Sequence, residues 1–180
     1  MNSHVVPSLD RFIQRFMQQH ETNRQPMQVE WEENWPSPCQ QGQVDANGKI
    51  AWQPVKREDV ADFSASEAAL ELPFHPDFKA FFARYWSANL PASAERGRLE
   101  LLQVWNPDDF ARLQQNLIGH VLMKRRLRHP ETLFFAVTDD DDYILSLENQ
   151  SGQVMLERVG VRPREILAQD LASFLDGLSP

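Results

Sequence analysis

The stretch from Arg98 to Leu147 constrains the fold of this chain more than any other. Its first part, RLELLQVW over residues 98–105, reads as a strand. Asn106-Pro107-Asp108-Asp109 follows at once: an N-cap residue, a proline in the first turn where a missing N–H does no harm, and two acids where the helix dipole favours negative charge. Phe110, Leu113, Leu117 and Val121 then recur at 3- and 4-residue spacing, so one apolar stripe is predicted. The helix ends in Lys124, Arg125, Arg126 and Arg128, cations suited to the negative pole. Thr132–Thr138, Tyr143–Leu147 and Val154–Val159 are strand candidates, separated by Asp139–Asp142 and by Asn149–Gly152. Strands spaced so closely pair as an antiparallel meander, since a hairpin needs no crossover helix.

The flanks add helices. Leu9, Phe12, Ile13, Phe16 and Met17 predict an opening amphipathic helix after Ser8 that fades near Thr22 and Asn23. Gln28–Pro54, with Trp31, Trp35, Pro36, Pro38 and Asn47-Gly48, reads as loop, turn and a short strand through Ile50 and Trp52. Ser64 and Glu67 have the spacing of a capping box, and Pro76 starts a helix that puts Phe78, Phe81, Phe82, Tyr85 and Trp86 on one face. Ile166, Leu167, Leu171, Phe174, Leu175 and Leu178 mark a closing helix. At 180 residues one core is the expectation. The fold class predicted is therefore α+β, a single domain over residues 1–180 with a mostly antiparallel or mixed sheet and helices packed on it.

Chemistry is sparse. His4, His20, His75, His120 and His129 show no metal-ligand spacing, and one cysteine, Cys39, supplies neither a disulfide nor a thiolate cluster, so no metal and no cofactor is expected. Cys39 has no base nearby in sequence and reads as a small buried hydrophobe rather than a nucleophile. Asp139–Asp142 lacks the spaced ligands, glycine and glutamate of a calcium loop, and is read as a solvated hairpin tip. No phosphate-cradling glycine loop or nucleophile elbow occurs. An acid–base pair of Asp108 or Asp109 with His120 would have to span ~16 Å of continuous helix. The chain is therefore expected not to be an enzyme.

The net charge of −8 opposes attachment to nucleic acid or anionic lipid. No signal peptide is visible in Met1–Asp10, and no stretch approaches the ~20 apolar residues of a membrane span. A cytoplasmic location, with any membrane contact peripheral, is the expectation. The acidic residues are concentrated in two places. Residues 28–77 hold ten carboxylates against Lys49, Lys56 and Arg57, and residues 131–148 hold six with no cation. Were the fold to bring these segments together in a concavity, the field would draw in a basic loop or helix. Glu30, Glu32, Glu33, Asp108, Asp109, Asp139, Asp140, Asp141 and Asp142 are the candidate partner-binding residues.

Leu99–Val137 resembles the Syd family of bacterial SecY-interacting proteins. The residues that carry the likeness are Leu101, Leu102, Gln103 and Trp105 of an LLQ-x-W strand, Asp108-Asp109-Phe110 at the helix start, Gln115–His120 (QNLIGH), and Thr132-Leu133-Phe134. Ser37-Pro38-Cys39 and Trp52-Gln53-Pro54 look like features of the same family. The resemblance implies a SUKH-like fold and a noncatalytic, monomeric regulator peripheral to the cytoplasmic face of the inner membrane. Such a protein would bind basic cytoplasmic loops of SecY through an acidic groove, and so reach the membrane indirectly. Those loops carry excess Lys and Arg by the positive-inside rule. It would sequester uncomplexed SecY or restrain the translocase. SUKH-type folds also resemble immunity proteins that block basic toxins, the alternative reading.

Overall fold

A computed structural model describes residues 3–180; the first two residues of the Met1–Asp10 segment lie outside the described residues. In chain order the elements are helix α1 (Val5–Thr22), strands β1 (Gln28–Glu30), β2 (Gln40–Gln41), β3 (Lys49–Trp52) and β4 (Val55–Lys56), and helices α2 (Ser64–Leu70) and α3 (Pro76–Ala83). Strands β5 (Tyr85–Trp86), β6 (Leu90–Ala94) and β7 (Gly97–Leu101) precede the long helix α4 (Pro107–Arg126). Strands β8 (Thr132–Thr138), β9 (Tyr143–Glu148), β10 (Val154–Arg158) and β11 (Glu165–Ala168) lead to helix α5 (Leu171–Asp176).

The main sheet has six strands in the order β11-β10-β9-β8-β7-β6, antiparallel throughout. The expected meander forms its centre, and the α+β class holds. Helices cover both faces. On one face α4 lies over β8, where His120 meets Phe134 edge-on at 5.4 Å. On the other, α1 packs against α3 and α5, and Phe81, Phe135 and Phe174 join helices to sheet through edge-to-face contacts at 5.7 and 5.8 Å. The buried core runs without a break from Val5 to Leu178.

The sheet is curled. In a flat sheet, β11 would stand four strand spacings, roughly 19 Å, from β7. Yet Arg96, in the turn between β6 and β7, forms an ion pair with Glu165 at the start of β11. The two edges are thus drawn towards each other across one open end of the sheet.

Four sequence expectations are corrected. Helix α1 starts at Val5 rather than after Ser8; the Ser3 hydroxyl accepts from the Val5 amide at 3.2 Å, and Pro7 sits in the first turn. Ser64 and Glu67 form no capping box. Asp62 accepts from the Ser64 amide at 2.9 Å, while the Glu67 carboxylate accepts instead from the Phe74 amide at 2.8 Å. Helix α3 ends at Ala83, because Tyr85 and Trp86 pair with Lys56 and Val55, and Trp86 bridges on to Val104. Ile166 and Leu167 belong to edge strand β11, and the closing helix begins only after Asp170, whose carboxylate accepts from the Ser173 amide at 2.7 Å.

Candidate functional site

Helix α4 begins as its sequence dictates. The Asn106 side chain accepts from the Asp109 amide at 2.8 Å, and the Asp109 carboxylate reaches back to the Trp105 amide at 2.8 Å, so two unpaired donors are satisfied reciprocally. This start is bolted to the loop after β1. The Ser37 hydroxyl donates to the Trp105 carbonyl at 2.6 Å, the Trp105 indole donates to the Trp35 carbonyl at 3.3 Å, and the Asn106 amide group donates to the Pro36 carbonyl at 2.9 Å. Trp52 meets Trp105 edge-on at 5.9 Å, and the Gln53 amide donates to the Cys39 carbonyl at 3.0 Å. The tripeptides Ser37–Cys39 and Trp52–Pro54 therefore converge on Trp105 and the helix start, which follow them by fifty residues or more in the chain; the strand expected over residues 98–105 ends at Leu101, and Trp105 belongs to this seam.

This seam carries the first group of candidate carboxylates. Glu30, Glu32, Glu33 and Asp108 are exposed, and among the described residues no cation lies within 4 Å of any of them. Asp109 is engaged differently: besides the Trp105 amide it holds Arg112 at 2.6 Å, and that guanidinium lies 5.3 Å from the Trp35 ring. Trp31 is 43% exposed beside these acids, whereas Trp35 is half-buried in the seam. Other acids of residues 28–77 serve the fold. Asp59 pairs with Arg57 at 2.6 Å, Glu67 with Lys79 at 3.3 Å, and Asp45 accepts from the amides of Lys49 and Asn47, which hold its carboxyl below the usual range.

Asp139, Asp140, Asp141 and Asp142 form the tip of the β8–β9 hairpin, as expected of a solvated turn, and all four are exposed. The tip is ordered locally: Asp140 accepts from the Asp142 amide at 2.9 Å, and Arg158 lies 3.8 Å from Asp142. The register separates this group from the first. Thr138, next to the tip, pairs with Leu99, and from there the chain runs away from the tip through Leu101 to Asn106. The Asp139–Asp142 tip and the carboxylates at the start of α4 therefore stand toward opposite ends of the strands, whereas the two acidic segments meet elsewhere, Glu131 and Glu148 lining one cavity with residues 72–76.

The candidate chemical groups are equally separated. His120 lies far along α4 from Asp109, its ring Nε2 2.9 Å from the Thr132 hydroxyl. That hydroxyl donates its single proton to Glu157 at 2.6 Å, so the His120 Nε2 is the donor to Thr132. Glu157 also accepts from Ser146 and from Lys124. Lys124 and Glu157 are 1% and 2% exposed at their side chains, a fully buried ion pair between α4 and β10. Burial lowers the pKa of His120, reinforced by Lys124 and partly opposed by Glu157. Cys39 is buried, and burial pushes its thiol pKa up, away from a reactive thiolate. Among the described residues no three His, Cys, Asp or Glu side chains are grouped to hold a metal ion.

Sequence reasoning missed this polar network. Its place in the last turn marks Lys124 as a cation suited to the helix's negative pole, but Lys124 also continues the Leu117–Val121 stripe at three-residue spacing, which turns it inward. Thr132, Ser146 and Glu157 occupy buried positions in three successive strands, and that coincidence of inward polar residues was the signal available.

The structure thus defines an acidic α+β domain whose curled antiparallel sheet and aromatic seam fix the placement of its exposed carboxylates. The family model for the Syd protein (SUKH-2) matches residues 6–180. A Protein Syd of Pseudoalteromonas atlantica is 49% identical over 182 residues, covering 100% of this chain and 98% of the relative. One of Alteromonas mediterranea is 42% identical over 176 residues, with 98% and 96% covered, and one of Shewanella putrefaciens is 42% identical over 177 residues, with 97% and 82% covered. The chain belongs to the Syd family. No helix among the described residues is long and apolar enough to cross a membrane.

Proposed function

We propose that this chain is a noncatalytic, monomeric regulatory protein that binds the basic cytoplasmic loops of SecY. By doing so it is held at the cytoplasmic face of the inner membrane, where it sequesters uncomplexed SecY or restrains the translocase. The observation that carries the reading is the set of exposed carboxylates at Glu30, Glu32, Glu33 and Asp108, unpaired among the described residues and mounted on a rigid seam. Carboxylates held without intramolecular partners keep their field for a partner, and membership of the Syd family directs attention to SecY. The whole chain acts as one unit, with the Asp139–Asp142 tip as a second acidic contact.

The test is binding of the purified protein to nanodisc-embedded SecYEG and to empty anionic nanodiscs, each at low and high salt. Binding to the channel that weakens by about tenfold or more as salt rises, with none to empty discs, is expected. Glu32→Gln/Glu33→Gln/Asp108→Asn and Asp139→Asn/Asp140→Asn/Asp141→Asn/Asp142→Asn, made separately, report which acidic group makes the contact. No binding to the channel at low salt would overturn the reading.

A further inference from the structure

The curled sheet is not filled at the end where the Asp139–Asp142 tip lies. Helix α5 has only six residues, and after Asp176 the chain turns away so that Ser179 and Ser93 exchange two backbone hydrogen bonds, at 2.7 and 2.9 Å. Beyond the helix end lies a cavity of about 540 Å³. Its floor is Leu99, Leu145, Leu156 and Leu167, one from each of four strands, and its inner wall is Phe174 and Leu178. Leu156 and Leu167 are only half-buried, so apolar surface is left facing the opening. The volume falls within the range of ordinary ligand pockets.

The surroundings of the opening state what chemistry suits it. Thr138 and Tyr143 form one wall, and between them in sequence stands the aspartate tip, pinned by the Thr138 hydroxyl to the Asp140 carbonyl at 2.9 Å. The charged lining is balanced, Glu95 and Glu165 against Arg96 and Arg98, and the adjoining Asp139–Asp142 tip, with Arg158 near Asp142, adds a negative excess on one side. An apolar hollow beside a negative hairpin tip repels an acidic or lipid-phosphate ligand and favours an apolar group flanked by cations. The Arg96–Glu165 pair, with both side chains about half exposed, straps the mouth weakly enough to open.

We propose that this open end of the sheet is a docking pocket for an apolar side chain carried on a flexible basic segment of the partner protein. The inference rests on the reading of the chain as a binder of basic loops, and adds an anchor to it: the aspartate tip steers the segment, and the pocket holds one side chain by burial.

Fluorescence anisotropy with two labelled Lys/Gly/Ser peptides, identical but for a central Leu or Ser, tests it. The Leu peptide is expected to bind about tenfold tighter, the effect of burying one such side chain. Ala168→Phe, which fills the cavity from β11, abolishes that preference; Ala94→Leu on the opposite wall does the same and serves if the first variant fails to fold, as judged by thermal melting. The tetra-asparagine tip variant weakens both peptides equally and leaves their ratio unchanged. Equal binding of the two peptides, a preference that survives both filling variants, or no binding of either peptide while SecYEG nanodiscs still bind would each overturn the pocket. The last result would leave the SecY reading standing. Preserved preference for the Leu peptide with no nanodisc binding would instead overturn SecY as partner and support the pocket.

Discussion

Lys124 and Glu157 show how much one buried pair of residues decides. Both charges are out of water, and what offsets their desolvation is mutual attraction together with hydrogen bonds from Thr132 and Ser146 to the carboxylate. Breaking the pair from one side leaves a lone buried charge. Glu157→Leu or Lys124→Met alone should therefore destabilise by about 3–5 kcal/mol in urea titrations, whereas the double variant, with no charge left to strand, should recover most of that loss. His120 in the same network sets a pH dependence. Its folded pKa lies below its ordinary 6.5, because burial and Lys124 disfavour the cation more than Glu157 favours it. Above about pH 7 the ring is neutral folded or unfolded and stability is unaffected. As pH falls below about 6.5 the unfolded chain takes up a proton that the folded chain refuses, so stability declines. His129 shifts in the same direction and shares the effect. Stability measured by denaturant between about pH 8 and 5 should fall less steeply for His120→Gln than for the native protein.

At the scale of elements, the start of helix α4 was legible to the residue because its signals are local: cap, proline and acids lie within four positions and need no distant partner, whereas Arg128, expected in its last turn, lies beyond the C-cap Leu127. The cap is also a joint, since the Asn106 side chain both accepts from Asp109 and donates to Pro36. Asn106→Ala should lower stability by about 1–2 kcal/mol and loosen the loop that presents Glu32 and Glu33, seen as faster amide exchange over residues 31–38. The failures were of the opposite kind. Tyr85 and Trp86 continue an aromatic helical face, and only pairing with β4, thirty residues earlier, makes them a strand. Ile166 and Leu167 fit a helix as well as a strand by periodicity, and the neighbour β10 decided for the strand. Strand β6 carries Pro91, which taken alone argues against a strand; it is tolerated at the sheet's edge, where one side needs no ladder.

Across the whole molecule, the candidate acids were legible as residues but not as a site. Charge density along the chain could not reveal that Asp59, Glu67 and Asp109 are spent on Arg57, Lys79 and Arg112, or that strand register sends the two acidic groups to opposite ends. Nor could it reveal the curl, which depends on the two edges meeting. Helix α1 packs on α5, and Arg11 and Arg15 reach across to Asp176 and the Leu178 carbonyl. Sheet strands β6 to β11 lie in space in the order in which they leave the ribosome, and so can pair as they emerge. The apolar stripe of α1 meets Trp52 and α3 early, but the part of it that packs on α5 stays open to solvent or to a chaperone until residues 171–178 appear. Closure of the α1–α5 face is thereby tied to the appearance of residues 171–178, a delay imposed by connectivity rather than by any slow chemical step.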